Sequence, residues 1–455
     1  MLLVGSVFAG TAGLLSAACS DDAVAPVDAT PDAASDAPSV GEEPPPTSTD
    51  AGVDPDARGA FDPADVPVVC DASPCATQIV AGSGHFCTRM SDTTVRCWGK
   101  NDFGVLGNAS ADAGSDAGST IRDVGGLEGV AQLGAAGWNT CALLDDGGVR
   151  CWGSNQHYQL GVTTNQYGSN PVPRAVPLPS EATQITLGPQ QACAVVSSGE
   201  LWCWGADPYL QLLRKDAEFE ADPNRSRLPA KALIEPLALS GLALGNYTSF
   251  GLTPSGEVWS WGAVGGADGN VAGRIGSVTP DTTPRKLASL ENVTSLAVSP
   301  STYEYPSGVR AHACALAGGE VHCWGRSFAG ALCTGVPGEA RAPAHAPFPP
   351  TLKAWPQQLA AGDEITCARM TDGSVHCCGS DDRGRLGTGA LVNVSPFFIK
   401  AAAFTGRAVQ VATTDQAVCA LVEDGTVECW GSNEHGELGT LPDDEDHATP
   451  VKVAF

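Results

Sequence analysis

Six pairs of cysteines recur along this chain at nearly constant spacing. Cys87/Cys97, Cys141/Cys151, Cys193/Cys203, Cys367/Cys377 and Cys419/Cys429 stand ten residues apart, and Cys314/Cys323 nine. Thiols in such pairs bind a soft metal or oxidise to disulfides. Zinc sites bring Cys-x₂₋₄-Cys pairs with further ligands at a fixed distance, and no Cys-x-x-Cys occurs here. Disulfide chemistry fits better. Cys141 and Cys151 are symmetric about Asp146, with a turn at residues 145–148. In an antiparallel hairpin they sit opposite each other, with Cα atoms about 4.5 or 5.5 Å apart, which a disulfide can bridge. The Cys314/Cys323 hairpin has a turn one residue shorter, so opposition survives there. Phe250 and Ser260 occupy both positions in another unit, so the two cysteines are lost together. Cys70 and Cys75 can close a small local loop. Cys333 and Cys378 then remain, either paired or as two buried thiols. The 17 cysteines of the 455-residue chain point to an oxidising compartment.

The other reactive side chains form no comparable pattern. His312 and His322 share a hairpin with Cys314 and Cys323, and His376 stands beside Cys377, at spacings that read as strand residues rather than a metal triad. The run Asp443-Asp444-Glu445-Asp446 lacks the alternating ligands of a calcium loop. There is no Gly-x-Ser-x-Gly elbow and no glycine loop with a phosphate-binding Lys. The glycine-rich stretch at residues 262–276 reads as a degenerate loop. No catalytic, metal or cofactor residue is assigned, and the expectation is a protein that is not an enzyme.

The elements that position these pairs repeat seven times. A tryptophan position falls at Trp98, Trp152, Trp204, Trp261, Trp324, Cys378 and Trp430. Eight residues beyond stand Leu106, Leu160, Leu212, Leu332, Leu386 and Leu438; only the fourth unit breaks the offset. Each unit reads as short strands, such as Gln184-Ile185-Thr186-Leu187, with Asp-Gly or Gly-Gly hairpin turns where φ > 0 is needed. Pieces such as 173–176 supply a fourth strand. Seven such units predict an all-β, seven-bladed β-propeller of four-stranded blades. One tryptophan per blade at one position packs between blades. Trp138, Trp202, Trp259 and Trp355 lie off that position and read as surface contacts.

The pattern Cys-Ala-Leu…Asp-Gly…Val-x-Cys-Trp-Gly-x-Asn…Leu-Gly, as in Cys141-Ala142-Leu143 through Leu160-Gly161, resembles the regulator of chromosome condensation repeat. The resemblance covers roughly residues 77–455 and implies a seven-bladed propeller. It is less specific for function: the eukaryotic archetype is a nucleotide-exchange factor, and exported bacterial relatives include a propeller-type β-lactamase inhibitory protein. The nuclear exchange role fits poorly with the leader, acidic segment and cysteine pairs of this chain.

Residues 1–18 are apolar and uncharged, and end in small residues before Cys19. That is a signal-peptide pattern, and Leu15-Ser16-Ala17-Ala18-Cys19 resembles a bacterial lipoprotein site at which Cys19 is lipidated. The alternative is an ordinary cleaved signal with an incidental cysteine. Ser20 after Cys19 favours, by the same resemblance, the outer membrane or cell surface. Residues 19–76, rich in Ala, Asp and Pro, cannot bury enough apolar surface to fold and read as a disordered tether. With 25 Lys+Arg against 51 Asp+Glu, a formal charge of −26, the chain is no nucleic-acid binder. The reading is therefore an envelope-anchored propeller, expected as a monomer without cofactor. One face, carried by insertions at 108–129, 213–237 and 300–310, binds a protein or surface polymer. A secreted enzyme inhibitor is the alternative. Ring closure is expected from a terminal strand, 450–455, completing the first blade.

Overall fold

The computed structural model describes residues 66–455, apart from 109–120, 164, 166, 209, 214–227, 235–236, 247, 263–280, 301–303, 306–307 and 310. The leader, Cys19, residues 20–65 of the tether and the 263–276 stretch lie outside the described residues.

Seven four-stranded antiparallel sheets follow one another as blades over residues 76–123, 130–175, 182–231, 241–286, 293–345, 356–400 and 408–452. Each sheet is ordered as its strands occur in sequence. The first strands contact their counterparts in the flanking blades and so surround the axis. Blade 5 carries an extra two-stranded hairpin, Glu304–Tyr305 with Gly308–Val309.

The antiparallel order fixes the two ends of the ring. Turns between second and third strands lie at one end, the hairpin face. Connections after first and third strands lie at the other, the loop face. Hairpin turns are short because an aspartate can cap them: Asp146 Oδ1 accepts the Gly148 N–H at 2.8 Å, and Asp424 Oδ1 that of Thr426 at 2.9 Å.

Third strands alternate sides, as a pleated strand must. In Val149–Gly153, Val149 and Cys151 face the next blade, where they share a buried cluster with Leu160, Ile185, Ala194 and Trp204. The same grouping recurs around the ring. The cysteine pair and leucine of one blade pack on the tryptophan of the next, as Cys419, Cys429 and Leu438 do on Trp98. In blade 4, Phe250 takes the place of the disulfide, 5.8 Å from the Trp324 ring. The six repeat-position tryptophans are all buried, whereas Trp138, Trp202, Trp259 and Trp355 are half-buried.

Two expectations are corrected. No strand is exchanged between the termini: Asp446–Lys452 pairs with Val427–Ser432 in its own blade, and blade 1 obtains its fourth strand, Arg122–Asp123, from the chain that follows. In every repeat the outer strand comes after the third strand, so blade 1 has no vacancy to fill. The insertions read as loops at 108–129 and 213–237 also contain the outer strands Arg122–Asp123 and Ala230–Lys231. The insertion at 300–310 contains the small blade 5 hairpin.

Residues 66–75, assigned by composition to the tether, run along the hairpin face of blade 7. The Val69 N–H donates to Glu423 O at 2.7 Å and that of Ala76 to Gly425 O at 3.0 Å. Val66 and Val68 pack on the cluster shared by blades 7 and 1.

Candidate functional site

The cysteines lie in the ladder as opposed partners. Cys87 faces Cys97, Cys141 faces Cys151, and Cys193, Cys314, Cys367 and Cys419 face Cys203, Cys323, Cys377 and Cys429. Each of the six pairs is a disulfide with Cα atoms 4.0–4.1 Å apart, the narrow class of antiparallel pair. Cys70 bonds Cys75, and Cys333 bonds Cys378 between blades 5 and 6. All are consumed as cross-links, which removes them as nucleophiles or ligands.

The Asn and Leu of the repeat motif belong to one turn. Asn155 Oδ1 accepts the Leu160 N–H at 3.1 Å, and Asn101 and Asn433 do the same for Leu106 and Leu438 at 3.1 Å. Asp207 and Asp381 take this role toward Leu212 and Leu386 at 2.9 and 2.7 Å. The carbonyl just before the leucine then receives the indole N–H of the next blade. Trp152 donates to Val105 O at 2.8 Å, Trp204 to Gln159 O at 2.9 Å, and Trp430 to Arg385 O at 2.9 Å. Trp98 donates to Glu437 O at 2.9 Å, so blade 7 joins blade 1 by the same bond.

A second set of joints, absent from the sequence reading, lies on the axis. Gln78 spans to blade 2, its Nε2 donating to Leu133 O and its Oε1 accepting from Leu133 N–H, both at 2.9 Å. Gln132 binds Ile185 and Gln358 binds Val411 in the same two-point way. Gln410 Oε1 accepts the Ile79 N–H at 2.8 Å across the closing seam. The available signal was a glutamine at one aligned position of the first strand in five repeats (Gln184 is the fifth).

The loop face holds the titrating groups. Asp363 and Asp415, on the connections after the first strands of blades 6 and 7, are tied together by Arg385: its guanidinium donates to Asp363 O at 2.9 Å and to Asp415 O. Burial raises Asp415 to about 7, the nearby Asp363 carboxylate adding to the shift and Arg385 opposing it. Lys100 lies 5.2 Å over the Trp138 ring and 3.0 Å from Asp102. Beneath, His85 meets the Thr140 hydroxyl at 2.8 Å and His312 that of Thr366 at 2.7 Å. Both rings are buried, which lowers them to about 3 and about 4 and keeps them neutral.

The remaining singled-out residues are dispersed. The His322 ring lies 5.6 Å from that of His345, tilted by 55°, His345 reaches Glu320 at 2.8 Å, and His376 is buried against Phe348. Asp443 is engaged by Asn433 and His447 at 2.7 and 2.8 Å. Among the described residues, no group of three or more His, Cys, Asp or Glu is placed to hold a metal ion.

Fold and cross-links together define a seven-bladed β-propeller with one disulfide in each of six blades. The pattern of the regulator of chromosome condensation repeat matches residues 146–195 and 372–421 of the chain, and a second form of it 76–105, 130–159, 357–385 and 408–437. Over 306 residues, 67% of its length, the chain is 26% identical to the human E3 ubiquitin-protein ligase HERC2, of which it spans 6%. It is 26% identical over 363 residues to the Schizosaccharomyces pombe protein pim1, covering 71% of this chain and 63% of that protein. It is 24% identical over 325 residues to the Arabidopsis thaliana ultraviolet-B receptor UVR8, covering 71% and 69%. The crystal structure of human WBSCR16 superposes with a TM-score of 0.63 at 21% identity, over 79% of this chain and 94% of that one, a likeness of fold.

Proposed function

We propose that this chain is a protein-binding module of the bacterial cell envelope, anchored through a lipidated Cys19, spaced by its acidic segment, and binding through the loop face. Propellers of this repeat family are typically protein-binding modules. The observation that carries the reading is where large apolar side chains remain exposed. Of the twelve large apolar side chains exposed among the described residues, seven (Tyr167, Val172, Phe328, Val336, Leu391, Val392 and Leu441) stand on connections after third strands, at one end of the ring, against Val69 and Leu233 at the hairpin end. Apolar side chains left uncovered on loops over a rigid scaffold are the usual material of a recognition surface.

Residues 66–71 reach the ring at the hairpin face, beside Glu423 and Asp424, and so leave the loop face uncovered by them. The six buried disulfides suit an oxidising location. Two variants test this. Cys19→Ala is expected to release the protein into the soluble fraction. Excision of 109–120 and 214–227, which spares the outer strands, is expected to abolish partner capture from envelope extract while the melting temperature holds. Unchanged membrane partition defeats the anchor, and capture that survives both excisions defeats the loop face.

A further inference from the structure

Four first strands begin with the same irregularity, and all four open on one cavity. Just before Gln78, Ser295, Gln358 and Gln410, in blades 1, 5, 6 and 7, the pairing with the second strand skips a residue. Such a bulge sets two residues of one strand against one of its partner and re-aims their side chains. Each of the four residues, together with its predecessor, lines a cavity of about 470 Å³ at the end of the axis where the first strands start, the hairpin end.

The lining has two unlike sides. Val409 and Leu421 belong to the buried cluster shared by blades 7 and 1, and Val66 and Val68 of the leading segment pack on it. That segment is held there by its own backbone, the Val69 N–H donating to Glu423 O at 2.7 Å and the Asp71 N–H to Asp424 O at 3.3 Å. Apart from Pro67, the rest of the lining is hydroxyl and carboxamide, from Thr and Ser and from four glutamines. No lining side chain is charged. An ion brought here would lose hydration with nothing to offset it.

Part of the polar side is unspent. Gln78 and Gln358 use both ends of their amides on the next blade. Gln410 gives only its Oε1, to the Ile79 N–H, and keeps its Nε2 hydrogens. The Thr294 hydroxyl reaches Leu316 O only at 3.5 Å, the outer limit of a hydrogen bond. Blade 5 has Ser295 where blades 1, 6 and 7 have glutamine, and a hydroxymethyl group fills less of the axis.

We propose that this cavity is a site for a neutral sugar. One pyranose ring lays its C–H face on Val66, Val68 and Val409, and its hydroxyls bond to Thr294, Ser295 and Gln410. A pyranose matches the lining on three counts: it is uncharged, one face is C–H, and each hydroxyl both donates and accepts, as the hydroxyls of the lining do. The volume falls in the range of small-molecule sites. A free sugar and the end of a surface glycan share this chemistry. The site is at the hairpin face and is independent of the loop-face reading.

The test titrates the full chain with D-glucose, D-galactose, N-acetyl-D-glucosamine and the disaccharides maltose and chitobiose, following the Gln410 side-chain amide resonances. Anionic glucuronate and protonated glucosamine are the charged counterparts. The expected result is a saturable shift with at least one neutral sugar, and binding of both charged sugars weaker by about tenfold or more. Saturation by a monosaccharide identifies a free sugar as sufficient; a shift confined to the disaccharides assigns the site to a glycan end. Ser295→Leu fills the polar side. Val66→Asp with Val68→Asp places charge on the apolar side, in a segment outside the blades. Each is expected to weaken the sugar about tenfold or more, and such a loss at an unchanged melting temperature in either supports the site. A Gln410 amide that no neutral sugar shifts overturns the proposal. So does equal binding of the charged sugars, or binding that persists undiminished in both variants.

Discussion

Cys333 and Cys378 join blades 5 and 6 at the place where other blades use a glycine and a tryptophan, with Cα atoms 5.6 Å apart. Elsewhere the glycine leaves room for the indole of the next blade. A Cβ on Gly387 would stand 2.7 Å from Trp430 Nε1, and one on Gly107 3.0 Å from Trp152 Nε1. Blade 6 has no indole to accommodate, so Cys333 takes that space and bonds the residue in the tryptophan position. The carbonyl an indole would have reached, Ala331 O, receives the Thr366 hydroxyl at 2.7 Å instead. Because that hydroxyl spends its one proton there, His312 must donate to it from Nε2.

This exchange makes the pair interdependent. The disulfide closes a segment of 45 residues, for which the chain-entropy treatment gives about 4 kcal/mol. Cys378→Ala is expected to lose a large part of that and leave a cavity. Cys378→Trp alone should be no better, since Cys333 fills the indole's space. Cys333→Gly with Cys378→Trp should recover much of the loss, read as urea midpoints under non-reducing conditions. Additive effects of the two single changes would contradict the account.

The closing seam is predicted to behave like any other seam. Trp98→Phe removes one indole N–H and leaves Glu437 O buried without its donor, which costs about 1–3 kcal/mol. Trp152→Phe removes the equivalent bond between blades 1 and 2. The two variants are expected to lower the melting temperature by similar amounts. A Trp98→Phe protein that melts like the parent would mean that the ring closes by other contacts.

Two buried histidines and one half-buried carboxyl give opposite pH dependences. His85 and His312 fall from 6.5 to about 3 and about 4. The unfolded chain therefore binds protons that the native one refuses, and their contribution, present above pH 6.5, is lost as the pH falls. Asp415 rises from 3.8 to about 7, so its contribution is present below 3.8 and is lost as the pH rises through 7. His85→Gln with His312→Gln should reduce the slope of stability against pH near pH 5 by about two protons, or ~2.7 kcal/mol per pH unit. Asp415→Asn should gain on the parent between pH 5 and pH 8. Urea midpoints across that range check both, and parallel curves for parent and variants would refute the assignment.

The repeat count, the opposition of the cysteines and the tryptophan contacts were legible because each is a local period or a hairpin symmetry. The glutamine joints were not. Gln78 and Gln410 sit at polar positions of an alternating strand, where sequence suggests solvent, and their partners are backbone groups of another blade. The Asn155–Leu160 spacing was visible as a motif, but nothing in it announces a side chain capping an amide five residues on. The expected strand exchange failed for a related reason. A Pro-x-x-Val piece lies between two repeats and its pattern does not say which it joins; Arg174–Ala175 pairs back onto Val149–Gly153 of its own blade.

The most direct test of the central claim is site-specific photocross-linking of the anchored protein in intact cells. A photoreactive residue replaces Tyr167, Val336 or Leu391 on the loop face, and Asp146 or Asp372 on the hairpin turns. The account predicts a discrete cross-linked partner from the three loop-face positions and none from the two hairpin positions. The same partner captured from Asp146 or Asp372, with the loop-face positions silent, would contradict it.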